Sequence, residues 1–281
     1  MFRKPLVEFA TPILRCKKAG DVLFIIQGKE IAKVDAETGS VIQSNAVFPE
    51  DNRTRDLVID EDVIYCEDFY RLHKVDLATL EVVQTWALGS DLRSDVCSVG
   101  FDDCKIYASI RNGAFAVIDK ASYEVKNYPV SQTSIWEMII SDYIYAGNVA
   151  GEFLVIDKEL IAVVNSKAVH RKNLKSLLLE GDIIYTASQD LSIAKTNIKT
   201  LDTILVKKHC HRKMFYLAGI WENYLMTVSP PCNEMKIWDK NELTLIKEIS
   251  GGTWGAFNDG DLLYEFIDNK IVCSRIADLV D

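Results

Sequence analysis

The 281-residue sequence has no apolar run long enough to cross a membrane as a helix; stretches such as Leu177-Leu178-Leu179 and Trp136 to Ile140 are only strand-length. It also lacks a Pro/Gly/Ser-rich linker, a low-complexity tract, and a signal-peptide apolar stretch after Met1-Phe2-Arg3-Lys4-Pro5. These absences imply a soluble cytoplasmic protein, with the nucleus also open, built as one domain over residues 1–281. Positive charge is in deficit: 32 Lys and Arg against 41 Asp and Glu leave a formal charge of −9. That balance disfavours nonspecific binding to duplex DNA or anionic membranes. Seven cysteines, Cys16, Cys66, Cys97, Cys104, Cys210, Cys232 and Cys273, are scattered singly and odd in number, unlike a secreted disulfide framework. They read as reduced thiols buried as small hydrophobes. No P-loop, nucleotide-binding Gly motif, nucleophile elbow or His-Glu-x-x-His occurs, so neither cofactor nor metal is expected. The His209-Cys210-His211 run lacks a second ligand pair at zinc spacing, and adjacent strand residues point to opposite faces.

What the chain does contain is a repeat. An acidic or polar turn, two apolar residues and an aromatic recur at Asp21 to Phe24, Asp62 to Tyr65, Asp103 to Tyr107, Asp142 to Tyr145, Asp182 to Tyr185, Asn223 to Met226 and Asp261 to Tyr264. Successive starts lie 41, 41, 39, 40, 41 and 38 residues apart. After each aromatic come a short turn and an alternating strand ending in Asp or Asn, as in Ile31 to Asp35, Leu72 to Asp76, Phe115 to Asp119, Leu154 to Asp157, Ile193 to Asn197 and Met235 to Asp239. A polar turn and another strand follow, as in Val41-Ile42-Gln43 and Val82-Val83-Gln84. Period-two alternation of β-branched residues excludes helical solenoids, and a repeat of this length selects a propeller. The expectation is an all-β, seven-bladed β-propeller of four-stranded antiparallel blades. The seventh repeat runs out near Asp281, so residues 5–10 are expected to supply its outermost strand, close the ring and remove an open sheet edge.

The segment Lys236-Ile237-Trp238-Asp239-Lys240-Asn241-Glu242-Leu243 resembles the end of a WD-repeat, the motif of seven-bladed interaction propellers. The resemblance extends along the chain through the repeat. His170, Ser188 and Asp190 fall where that family places its Gly-His histidine, its second-strand serine and its turn aspartate, and His211 has the same phase one repeat later. The resemblance implies a hydrogen-bonded set joining these groups to the Trp of Trp-Asp. No repeat carries the whole set, since the fifth has Thr196 at the Trp position and the sixth has Cys232 at the Asp position. Blades relying on packing more than on buried polar networks are expected.

With the family strand order, loops after the first and third strands share one face, and loops after the second and fourth share the other. The first set is acidic, with Asp60 to Asp62, Asp102, Asp103, Asp157, Glu159, Glu180, Asp182, Asp259 and Asp261. The second set holds two basic loops, Lys167 to Lys175 and Lys207 to Lys213, and further arginines. The candidate partner-binding residues are Arg55, Arg93, Arg111, Arg171, Lys172, Lys175, Arg212, Lys213, Tyr216 and Trp254, while Trp136 either joins this rim or packs between blades. Arginine and aromatic side chains make binding hot spots, and Arg forks suit carboxylate or phosphate. The function expected is a non-catalytic scaffold or adaptor binding an acidic or phosphorylated protein segment. The alternatives are a ribonucleoprotein component touching RNA phosphates and a propeller enzyme of quinoprotein or metal-dependent lactonase type.

Overall fold

The computed structural model describes residues 5–49, 54, 56–91, 94–251 and 253–280. Seven four-stranded antiparallel blades are arranged as a β-propeller. In chain order six blades occupy residues 13–46, 57–87, 96–129, 135–168, 174–207 and 216–250, each with strands a to d hydrogen-bonded to their sequence neighbours. The seventh combines residues 255–275 with Val7–Glu8 as its outer strand. Chain contacts divide the protein into two compact units, Met1–Gln27 with Ala32–Gln43 and Leu178–Asp281, and Gly28–Ile31 with Ser44–Leu177. In each unit the first strands of successive blades lie beside one another, 96–101 against 135–140 in one and 216–221 against 255–259 in the other. Strand a is therefore the inner strand, as the repeat phase implies.

Burial explains the recurring phrase. Strand b is covered on both faces, so it reads as an apolar run ending in the buried aromatics Tyr65, Tyr107, Tyr185 and Tyr264, whereas the outer strand at Val41–Ala46 alternates and is largely exposed. The third-strand acid serves the turn. The side chains of Asp35, Asp76, Asp119, Asp157, Asn197 and Asp239 each accept backbone N–H groups from the following turn. Four residues further on, Gly39, Leu80, Tyr123, Ile161, Leu201 and Leu243 all have left-handed φ between 49° and 71°. Each donates its N–H to the carbonyl of that acid or amide at 2.9 Å. Four of these are apolar residues buried to 7% exposure or less, Leu80, Ile161, Leu201 and Leu243. Burying such a side chain contributes about 1.5–3 kcal/mol, enough to offset the roughly 1–2 kcal/mol cost of the left-handed backbone.

The terminal strand pairs as Val7 with Ile271 and Glu8 with Lys270. The Phe9 N–H bonds the Asn269 carbonyl at 2.8 Å, the Asn269 side-chain amide returns a bond to the Phe9 carbonyl, and Lys270 pairs with Glu8 at 3.4 Å. Leu6, Val7 and Phe9 join the apolar cluster of Leu23, Ile25, Tyr264 and Ile271. Where other blades make their third turn, the seventh ends in a short helix, Ile276–Val280. Its Ile276 is fully buried against Met235, Ile237 and Leu263, and its N–H bonds the Asp261 carbonyl of the same blade at 2.8 Å, as Leu77 bonds Asp62 and Ile198 bonds Asp182 in theirs.

Candidate recognition surface

The two loop sets differ in what their cations do. At the a–b and c–d end, lysines are tied to acids of neighbouring turns. Lys120 meets Asp60 at 2.5 Å, Lys105 meets Glu159 at 2.9 Å, and Lys158 lies 3.9 Å from Asp102. In the other unit Lys240 meets Glu180 at 2.7 Å, Lys199 meets Asp182 at 2.7 Å and Lys18 meets Asp259 at 2.6 Å. Three of the lysines, Lys120, Lys158 and Lys240, follow the turn acid of the third strand at the same repeat position. Five of these six pairs join neighbouring blades, and Lys199 with Asp182 ties two turns of blade five.

At the b–c and d–a end the loops are built on a different bond. A b–c carbonyl receives N–H groups from the loop leading to the next blade: Lys29 from Val47 and Phe48, Tyr70 from Leu88 and Gly89, Gly113 from Val130 and Ser131, Gly151 from Val169 and His170, and Leu191 from Cys210. Gly151 is required at its place: its φ is 85°, and a Cβ there would lie 2.5 Å from the His170 carbonyl oxygen. Above it, Arg171 and Lys172 are exposed.

Blade six anchors its loop through a buried side-chain network. His211, 2% exposed, bonds Glu234 Oε1 through Nδ1 at 2.7 Å and Thr227 Oγ1 through Nε2 at 2.7 Å. The Trp238 indole N–H donates to the same Thr227 oxygen at 2.9 Å. The Glu234 carboxylate can only accept, so Nδ1 carries the ring proton, and in the neutral ring Nε2 accepts from the Thr227 hydroxyl, which also lies 3.5 Å from the Lys236 carbonyl. Phe215 stacks on the ring at 4.7 Å. Burial lowers the His211 pKa, against the raising effect of its hydrogen bond to Glu234, which favours the neutral ring this network needs. Lys236, paired with Glu248 at 3.3 Å, donates to the Cys210 carbonyl at 3.0 Å. The sixth repeat thus does carry a connected His-to-Trp network, contrary to the sequence expectation. Glu234, two residues beyond Cys232, stands in for the acid, and Thr227, two residues before Ser229, stands in for the hydroxyl.

This anchored loop turns the remaining groups outward. Lys208, His209, Arg212 and Lys213 are exposed, and the Arg212 and Lys213 side chains make no hydrogen bond or ion pair among the described residues. Met214 and Tyr216 follow, half-buried, with the Tyr216 hydroxyl 3.7 Å from the Met214 sulfur. Trp254 is 62% exposed, and its indole N–H donates to Asp268 Oδ1 at 2.8 Å.

The other anticipated residues fare differently. Arg111 and Lys175 come together on one ring, the Arg111 guanidinium 5.4 Å and the Lys175 ammonium 4.5 Å from the Trp136 centroid. Arg111 is also paired at 3.3 Å with Asp95, which is 1% exposed, so much of its charge is compensated internally. The half-buried Trp136 ring thus engages both cations. Arg55 and Arg93 lie outside the described residues. The Arg71 guanidinium is held at 2.7 Å by Asp68, which also meets His73 at 3.1 Å. His73 in turn bonds Thr85 at 3.0 Å, with Phe48 edge-on at 5.6 Å. That Asp-His-Thr order has the connectivity of a catalytic relay, but its Asp and His are buried in the b–c hairpin and serve its packing.

No helix among the described residues is long and apolar enough to cross a membrane, and no group of three or more His, Cys, Asp or Glu among them could hold a metal ion. No family model matches the sequence, and no curated protein matches it. The fold matches solved propellers. The computationally designed Ika8 protein superposes with a TM-score of 0.72 at 12% identity, over 96% of this chain and 99% of that one. The Cps50 (Swd1) β-propeller domain of Myceliophteria thermophila gives 0.77 at 13% identity, over 94% and 96%. A chain of the Mitotic Checkpoint Complex gives 0.77 at 15% identity, over 95% and 92%. At such identities the likeness is one of fold.

Proposed function

We propose that this chain is a diverged WD-repeat propeller acting as a non-catalytic scaffold or adaptor, which docks an acidic or phosphorylated segment of another protein on its b–c and d–a loops. The observation that carries the reading is the contrast in cation use. Lysines at the opposite end are neutralised in seams between blades, whereas Arg212 and Lys213 stand unengaged among the described residues on a loop braced from beneath by His211, Glu234 and Lys236. A braced loop places charge without a large ordering cost on binding, and an Arg fork suits carboxylate or phosphate oxygens. Arg171 and Lys172, in the other unit, present the same chemistry on a loop of their own. Fold alone does not carry the function; the separate matches to a designed protein and to natural complexes make that plain. The test is affinity capture from native extract, comparing wild type with a folded variant bearing Arg171→Glu, Lys172→Glu, Arg212→Glu and Lys213→Glu. Loss of a defined protein partner supports the reading. A partner list changed only by nuclease treatment transfers it to RNA, and an unchanged list refutes it.

A further inference from the structure

The inner strands of blades six and seven fix what lies next to the basic loop. The Asn258 amide donates to the Ile220 carbonyl at 2.9 Å, and Asn258 Oδ1 sits so close to Gly219 that a Cβ there would meet it at 1.9 Å. Ala218 and Ala256 share one apolar cluster, so the two strands run side by side in the same direction. Four residues back from Asn258 is Trp254, and four back from Gly219 and Ile220 are Phe215 and Tyr216. A register shift between Leu217 and Gly219 makes the count approximate by one residue, which still places Trp254, just ahead of its own strand at Gly255, near the height at which the blade-six strand begins after Arg212, Lys213 and Met214. The surface runs from two unengaged cations across a half-buried Met and Tyr to an exposed indole.

Trp254 is held in place on two sides. Its backbone N–H bonds the Phe266 carbonyl at 2.7 Å and its indole N–H is taken by Asp268, which has left-handed φ of 54°. With the indole donor occupied, what the side chain offers is an apolar ring face at 62% exposure, costly to leave in water. A nearby Arg212–Lys213 pair repels a basic partner residue, and the Asp268 carboxylate repels an acidic one from the indole edge.

We infer that the segment docked here carries an apolar side chain beside its acidic or phosphorylated residues, with the apolar group seated on Trp254 and Tyr216 and the anionic residues on Arg212 and Lys213. The inference rests on the proposed docking function and adds the second half of the recognition code. A purely acidic segment leaves the indole in water, and a purely apolar one leaves the cations without counter-charge.

The experiment uses the full chain and three synthetic twelve-residue probes: acidic with one central Phe, acidic with that Phe replaced by Ser, and uncharged with the Phe retained. Binding is followed by titration calorimetry and by the Trp254 indole N–H resonance, assigned with a Trp254→Phe variant. The acidic-Phe probe binds at least ten-fold tighter than either control, shifts that resonance, and loses ten-fold or more on Trp254→Ala. Equal affinity for the acidic probe with and without Phe, or affinity indifferent to Trp254→Ala, overturns the inference while leaving the docking function standing. Binding indifferent to Arg212→Glu with Lys213→Glu overturns the docking function itself. Melting curves confirm that each variant is folded.

Discussion

Two turn residues show how closely one position can be judged against its repeats. Glu61 and Glu222 have left-handed φ of 49° and 48° at the a–b turn, where other blades place Gly20, Gly181 and Gly260 at 55° to 57° with open space around them. Glu61→Gly and Glu222→Gly should each raise stability by about 0.5–1 kcal/mol, the relief of left-handed backbone less the extra chain entropy of glycine. Urea unfolding measures this, and a loss at both sites contradicts the assignment of strain. His211 gives a pH prediction. Burial lowers its pKa from the ordinary 6.5, so as pH falls the unfolded chain takes up the proton first. The contribution of neutral His211 is therefore complete above the unfolded value near 6.5 and is lost as pH falls from there toward the lowered folded value. His211→Gln should be less stable at about pH 7.5 and show a flatter decline in unfolding midpoint down to about pH 5.5. A parallel decline removes His211 as the cause. The sequence revealed His211 by its phase, but not Glu234 or Thr227. Those partners reach the ring through the pairing of strands b and c, which sets Thr227 opposite Lys236 and Ser229 opposite Glu234, and a linear motif cannot express that register.

Among the elements, the outer strand of the seventh blade is the most exposed to test. Val7 and Glu8 add only two register pairs to Lys270 and Ile271, but they bring Leu6 and Phe9 onto the core shared by blades one and seven. Deleting residues 1–10 should lower the melting temperature by about 5 °C or more, equivalent to roughly 3 kcal/mol in a chain of this size. An unchanged transition would mean that the strand contributes nothing to closure. This strand was legible because the seventh repeat is visibly short of residues. The terminal helix was not, since Ile276-Ala277-Asp278-Leu279-Val280 is too short to show helical periodicity. The left-handed Leu80, Ile161, Leu201 and Leu243 were also hidden, because apolar residues do not announce positive φ and only the N–H bond back to the turn acid explains them.

At the scale of the molecule, the sequence showed the polarity of charge between loop sets but not how it is used. The acids and lysines of the a–b and c–d turns close on each other across seams, which needs side-chain reach from one blade to the next. Arg111 and Lys175, grouped with the exposed cations on spacing alone, are drawn onto Trp136. The proposed recognition therefore rests above all on Arg212 and Lys213, and the most direct test changes only these two. With the captured partner purified, titration calorimetry compares wild type with the Arg212→Glu, Lys213→Glu variant at one ionic strength. The predicted result is at least a ten-fold loss of affinity, about 1.4 kcal/mol, with the melting temperature unchanged because both side chains are exposed. Equal affinity in the two proteins would contradict it.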